Sequence, residues 1–182
     1  LVRGELDGAR STYLDIFDRG GRRASLYETE HGHMRGMGKG NELADIAGFY
    51  LAFGVSIDSQ RVHEAVDHVA VELEFYGLLL LKEHHLDGAG DVEGVAVVRD
   101  ARRKFLLDHL GRFAGSIAAR PEVQGNPLYG PAFGWVAALV DAECGVFGVV
   151  PEILALQGDT TDKEEMRCGS VDLPLPDPSV AE

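Results

Sequence analysis

Seven histidines, His31, His33, His63, His68, His84, His85 and His109, are the side chains of this chain best suited to bind metal or move protons near neutral pH. An all-helical metallohydrolase would gather such imidazoles with aspartates on facing helices. The spacing does not build one. His31-x-His33 stands alone, no H-E-x-x-H occurs, and Asp67-His68 and Asp108-His109 run opposite to the His-Asp order of a helical phosphohydrolase. Gly36-x-Gly38-Lys39-Gly40 lacks the G-x-x-x-x-G-K-[ST] spacing of a phosphate loop, and no strand precedes it. Its amides could at most hold an anion ahead of a helix. Ser11, Ser25, Ser56 and Ser59 sit in no nucleophile elbow. Cys144 and Cys168 match no zinc or iron–sulfur pattern. No catalytic residue and no metal ligand set is assigned.

Two constellations remain. Tyr13-Leu-Asp-Ile-Phe17 puts two aromatic rings at i, i+4, one face of a helix. It is followed by Ser25-Leu-Tyr-Glu28-Thr-Glu-His31-Gly-His33. Further on, Val66-Asp67-His68-Val69-Ala70-Val71-Glu72-Leu73-Glu74-Phe75 places a polar cluster at the head of an apolar helix. If the helix starts near Asp67, that carboxylate caps free amides, and His68 and Glu72 share a face. A cap with a solvated ion pair explains the spacing as well as a binding site does.

The elements that must position these residues are helical. Leu43, Ile46, Ala47, Tyr50 and Leu51 form one stripe over 41–53. A second run over 61–85 carries Val62, Val66, Val69, Leu73, Tyr76 and Leu80, denser in apolar residues after Leu73. The stretch 91–120 reads as one long helix, with Val95, Val98, Phe105, Leu106, Leu110, Phe113 and Ile117 inward and Gly94, Gly111 and Gly115 weakening it. Pro121–Pro127 breaks the chain before a last helix over 128–147 with the single Trp135. Gly32–Gly40 reads as a loop, with Gly40 or Asn41 capping the helix that follows. Alternating β-type runs are absent, so the expected class is all-α, a single-domain helical bundle.

With 182 residues, one domain is expected over 1–157, and 158–182, rich in Asp, Glu and Pro, reads as a flexible extension. Seventeen basic against thirty acidic residues leave a net charge of −13, which argues against nucleic-acid binding and docking on anionic membranes. No apolar run is long enough to span a bilayer. Leu1-Val-Arg-Gly-Glu is no basic-then-apolar leader, and two cysteines, which allow one disulfide at most, suit a reducing compartment more simply, so the expected location is cytoplasmic. The first residue is not Met, which leaves open what precedes it.

At Asp67-His68-Val69-Ala70-Val71-Glu72-Leu73-Glu74-Phe75 the chain resembles the TorD/DmsD/NarJ family of redox-enzyme maturation chaperones, whose diagnostic stretch ends in Pro-Asp-His before a helix of the form Leu-x-x-x-Leu-Glu-Phe. Val66 replaces the proline. Ser25-Leu26-Tyr27-Glu28, Glu30-His31-x-His33 and Arg35-Gly36 look like the NarJ branch, and still more like chaperones of the selenate, chlorate, dimethyl sulfide and ethylbenzene enzymes. Phe105-Leu-Leu-Asp-His109-Leu110 is similar to the family's His-Leu segment, with Phe113 where Trp is common, and Asn126-Pro-Leu-Tyr129 fits the start of a family helix.

The resemblance covers about residues 11 to 150. It implies a TorD-like all-α fold and a binding protein that is not an enzyme and holds no cofactor of its own. The partner it implies is the apo catalytic subunit of a nitrate-reductase-like molybdenum oxidoreductase, held by its N-terminal leader or twin-arginine signal segment until the molybdenum cofactor is inserted. Asp67, Glu72 and Glu74 would pair with arginines, Tyr13 and Phe17 would line an apolar groove, and His68 and His109 would orient the site. His31, His33 and Arg35 are secondary candidates. An all-α metal- or nucleotide-dependent hydrolase using the histidines is the alternative, and metal content separates the two.

Overall fold

The computed structural model describes residues 3–18, 24–32, 37–56 and 64–155. Its elements are α1 (Arg3–Tyr13), running into a π-helical turn at Leu14–Asp18, then α2 (Met37–Ala52), α3 (Val69–Gly88), α4 (Val92–Phe105), a second π-helical turn at Leu106–Leu110, α5 (Gly111–Ala118), α6 (Pro121–Gln124) and α7 (Tyr129–Phe147). A short 3-10 turn at Glu28–Glu30 lies between α1 and α2. Among the described residues there is no strand, and pairing is confined to isolated bridges such as the antiparallel one between Tyr27 and His68, so the fold is all-α. The expected acidic extension, together with His33 and Arg35, lies outside the described residues. No described helix is long and apolar enough to cross a membrane.

α3 packs along α4, and α5 along α7. The core between them comes from Ile46 and Tyr50 of α2, Phe75 and Leu79 of α3, Val98 and Phe105 of α4, and Phe113 and Ile117 of α5. Its centre is aromatic: the Tyr50 and Phe75 rings are 4.6 Å apart, and the Phe75 and Phe105 rings meet edge-on at 5.0 Å. Arg102 ties three helices together. Its guanidinium pairs with Glu83 and Glu143, donates to the Tyr76 hydroxyl, and lies 5.0 Å from the Phe147 ring centre. Gly148 ends α7 at φ 62°, the left-handed conformation that a glycine takes without strain.

The boundaries depart from the periodicity in four places. α2 begins at Met37 rather than after Gly40 or Asn41, so both expected caps lie inside the helix. Lys39 Nζ, 2.8 Å from Glu30 Oε1, links that first turn to the preceding segment, an exposed pair worth less than the poor helix propensity of Gly38 and Gly40 costs. α3 begins at Val69 rather than in the low sixties, because Glu28 N–H donates to Asp67 O at 2.9 Å and Val69 N–H to Leu26 O at 2.8 Å, which keeps 67–68 extended. Its cap is His68, whose Nδ1 accepts from Ala70 N–H at 3.1 Å, and not Asp67. The stretch 91–120 is split by the π-helical turn at Leu106–Leu110, and Pro121 opens the four-residue α6 at its N1 position instead of only breaking the chain.

Candidate functional site

The backbone pairing of 26–28 with 67–69 carries seven polar side chains out of solvent: Glu28, Thr29, His31, Asp67, His68, Glu72 and His109. Burying so many is tolerable only where each finds a partner. Asp67 Oδ2 accepts from the Thr29 amide at 3.2 Å and from its hydroxyl at 2.5 Å. Glu28 Oε2 faces His109 Nδ1 at 3.2 Å, so that ring nitrogen donates to the carboxylate. His109 Nε2 is 3.4 Å from Asp45 Oδ2, and Arg112 reaches Glu42 at 3.1 Å and Glu28 at 3.8 Å.

Glu72 is the exception. It is wholly enclosed, and neither of its oxygens has a hydrogen-bond donor, nor has Glu28 Oε1, from which the Arg112 guanidinium stands off at 3.8 Å. Burial, then the nearby Glu28 and Asp67 carboxylates, push the Glu72 carboxyl well above the usual range. A proton held on Glu72 supplies the missing donor toward Glu28. Burial raises Glu28 too, opposed by its hydrogen bond from His109. Burial lowers both His31 and His68, disfavouring their charged forms. His31 Nε2 donates to the Ser25 carbonyl at 3.1 Å and its ring lies against Phe113.

Above this core sits a more open rim. The Tyr27 hydroxyl donates to Glu64 Oε2 at 2.6 Å, the Tyr27 ring meets His68 edge-on at 5.1 Å, and His68 Nε2 is 3.9 Å from Glu64. Tyr13 and Phe17 form the expected aromatic face with ring centres 5.2 Å apart, and continue into Tyr129 and Phe133. Both are half-buried, and burial, then Glu64, raises the Tyr13 phenol.

The structure therefore brings Asp67, His68, Glu72 and His109 together in one buried network, while Tyr13 and Phe17 stand in a separate aromatic set and Glu74 points to solvent from α3. With no exposed surface, Glu72 is closed to direct pairing with an incoming arginine, and Asp67 is already occupied by Thr29. Of the residues that complete the network, Glu28 and Thr29 stood in the 25–33 stretch noted in the sequence but not among the candidate site residues, and Arg112 was not noted at all. Their contacts lie 38 to 84 positions away, beyond any local pattern.

A groove of about 580 Å³ opens elsewhere, between the end of α2 and the facing parts of α3 and α4. Phe53, Leu81, Leu86, Val97 and Val98 supply its apolar wall, and Lys82, His85, Asp91 and Glu93 its polar groups. Leu81 is 69% exposed and Val97 58%, so the wall is open in the free chain. Glu74 lies two helical turns before Leu81 on the same stripe of α3. The only signal for this groove was the excess of apolar residues after Leu73. Among the described residues, no group of three or more His, Cys, Asp or Glu could hold a metal ion.

Residues 3–119 match the family described as nitrate reductase delta subunit. The chain is also similar to a selenate reductase assembly chaperone protein of Thauera selenatis, at 32% identity over 124 residues, which is 67% of this chain and 63% of that protein. The chain thus spans less than two thirds of the length of this curated relative. No solved structure matches. The family match ends before α6 and α7 begin.

Proposed function

The chain belongs to the nitrate reductase delta subunit family, the TorD/NarJ-type chaperones, and from that premise we propose that it is an assembly chaperone for the catalytic subunit of a nitrate-reductase-like molybdenum oxidoreductase. It binds the N-terminal leader, or twin-arginine signal segment, of the apo subunit in the cytoplasm. It holds the subunit until the molybdenum cofactor is in place, performs no turnover and keeps no cofactor itself. The relative's role with a selenate reductase supports a client from the same enzyme group.

The observation that carries this reading is the open apolar groove on a chain of net charge −13. A leader that is apolar along one helical face and carries arginines fits both properties. Charge draws the basic segment in and biases partner choice, while the apolar wall supplies the affinity. In this reading Leu81 and Val97 contact the peptide, Asp91 and Glu93 face its basic residues from the groove, and Glu74 does so from beside it. Tyr13 and Phe17 offer a second, half-buried aromatic contact. Asp67, His68, Glu72 and His109 act one step back, by fixing the head of α3 against residues 24–32.

The test is an affinity pull-down of the tagged chain from its own host, with mass spectrometry of what accompanies it. We expect a large molybdoenzyme subunit that lacks cofactor and still carries its leader. A partnerless chain containing stoichiometric metal would overturn the reading and favour a histidine-based hydrolase.

A further inference from the structure

α7 carries a second apolar surface, unrelated to the groove. Leu128, Trp135 and Val146 are exposed along it, and Val150 and Ile153 continue the band past its end. Trp135, the single tryptophan, has 67% of its surface in solvent. Pro131, Gly134, Ala138, Ala142 and Gly145 are exposed on the same side, so a bulky row runs beside a row of small residues. The inner side of α7 is already used: Val140 and Cys144 are buried in the core and Glu143 pairs with Arg102. A large apolar band of this kind on a soluble chain marks an interface.

Charge decides what covers it. Between Pro121 and Ala155 there is no Lys or Arg, and Asp141 is the one charge on the exposed face of α7. A basic leader has little to pair with here, and an anionic membrane surface is repelled by the chain's net charge of −13. That same charge keeps most faces of two copies apart. On the α7 face each copy brings a single acid, Asp141.

The face also fits itself. In an antiparallel pair centred on Ala138, Gly134 of one copy faces Ala142 of the other, Pro131 faces Gly145, and the Trp135 row falls beside Asp141 and Ala142. The bulky row of each helix then enters the small-residue row of its mate, as a two-fold interface requires. We propose that α7 is a homodimerisation surface, two copies of the chain pairing through their outer α7 faces about Ala138. This is independent of the leader-binding reading, because the groove lies on α2, α3 and α4 and stays open in such a dimer.

The experiment is sedimentation velocity on the full chain over a roughly hundredfold dilution series, with Trp135 fluorescence read on the same samples. The expected result is a mass that doubles with concentration, while Trp135 emission moves to shorter wavelength and acrylamide quenching falls. Ala138→Arg sets two like charges against each other at the axis, and should raise the dimer dissociation constant on the order of 100-fold with helical circular dichroism unchanged. Should that variant lose helicity, Trp135→Lys reads the same surface. A chain that stays monomeric overturns the proposal, whether Trp135 is open to quencher or shielded at every concentration by the chain's own residues. A dimer indifferent to both substitutions overturns it too.

Discussion

His109 Nδ1 and Glu28 Oε2 meet at 3.2 Å in a place neither side chain shares with solvent, though 81 positions separate them in the chain. The contact joins the second π-helical turn to the short segment that pairs with the head of α3. Its loss leaves a carboxylate buried without its donor, which is costlier than the loss of any exposed ion pair. His109→Ala should lower the free energy of unfolding by about 3–5 kcal/mol. The double variant with Glu28→Gln should lose less than the two single losses summed. Urea unfolding measures both, and a single-variant loss under about 1 kcal/mol would remove the pair from the core's energetics.

Glu72 predicts an unusual dependence on pH. Its carboxyl is held above the ordinary 4.5 in the folded chain, so folding takes up a proton there. Stability from that proton is complete below 4.5 and is lost as pH rises toward the folded value, by about 1.4 kcal/mol per pH unit. His31 and His68 act oppositely: being lowered from 6.5, they cost stability as pH falls below that value. Glu72→Gln keeps a donor toward Glu28 but cannot ionise. Relative to the native chain it should gain stability as pH rises above 4.5, by melting temperature. A difference that does not change with pH would show that Glu72 does not carry the proton.

The groove makes a separable prediction. Leu81→Asp or Val97→Asp, both at exposed positions, should weaken binding of a synthetic leader peptide by at least about tenfold without moving the melting temperature. Glu74→Lys should mainly slow association and flatten its salt dependence. Fluorescence anisotropy of a labelled peptide reads both. Native affinity in folded Leu81→Asp would place the leader elsewhere.

Two glycines of α5 offer a matched pair. A Cβ on Gly111 would stand 2.6 Å from Pro151 Cγ and press on the Leu106 carbonyl oxygen, whereas one on Gly115 meets nothing. Gly111→Ala should cost about 1–3 kcal/mol. Gly115→Ala, mid-helix and exposed, should stabilise by up to about 1 kcal/mol. Thermal unfolding of the two variants decides it, and equal effects would mean the approach of Pro151 is not constraining.

The all-α class was legible because the stripe Ile46, Ala47 and Tyr50 and the inward set Val98, Phe105, Leu110, Phe113 and Ile117 repeat at helical spacing, a property of neighbours in the chain. The aromatic pair Tyr13 and Phe17 was legible for the same reason. Helix starts were less so. The beginning of α3 is set by backbone bonds from 26–28, which periodicity does not contain, and α2 starts at Met37, through two glycines that propensity disfavours. Asp67, His68, Glu72 and His109 were visible as a polar cluster and through the family likeness. That they turn inward could not be read from spacing, because the partners Thr29, Glu28 and Arg112 arrive from distant elements. The groove was hardest, being a space bounded by three helices rather than a pattern on one.

Gly32 N–H donates to Ala155 O at 2.7 Å, and a Cβ on Gly32 would lie 3.2 Å from the Leu154 side chain. Residues 24–32 are therefore fastened on one side by 67–69 and on the other by the end of the described chain. During synthesis the first fastening is ready once α3 has emerged. The second waits until residue 155 has cleared the ribosome, with α4 to α7 made in between. Residues 24–32 are thus made before α3 to α7 but closed over only after them. A nascent chain halted before residue 155 should thus expose residues 24–32 to protease while its middle helices are protected, and release of the full chain should close that window.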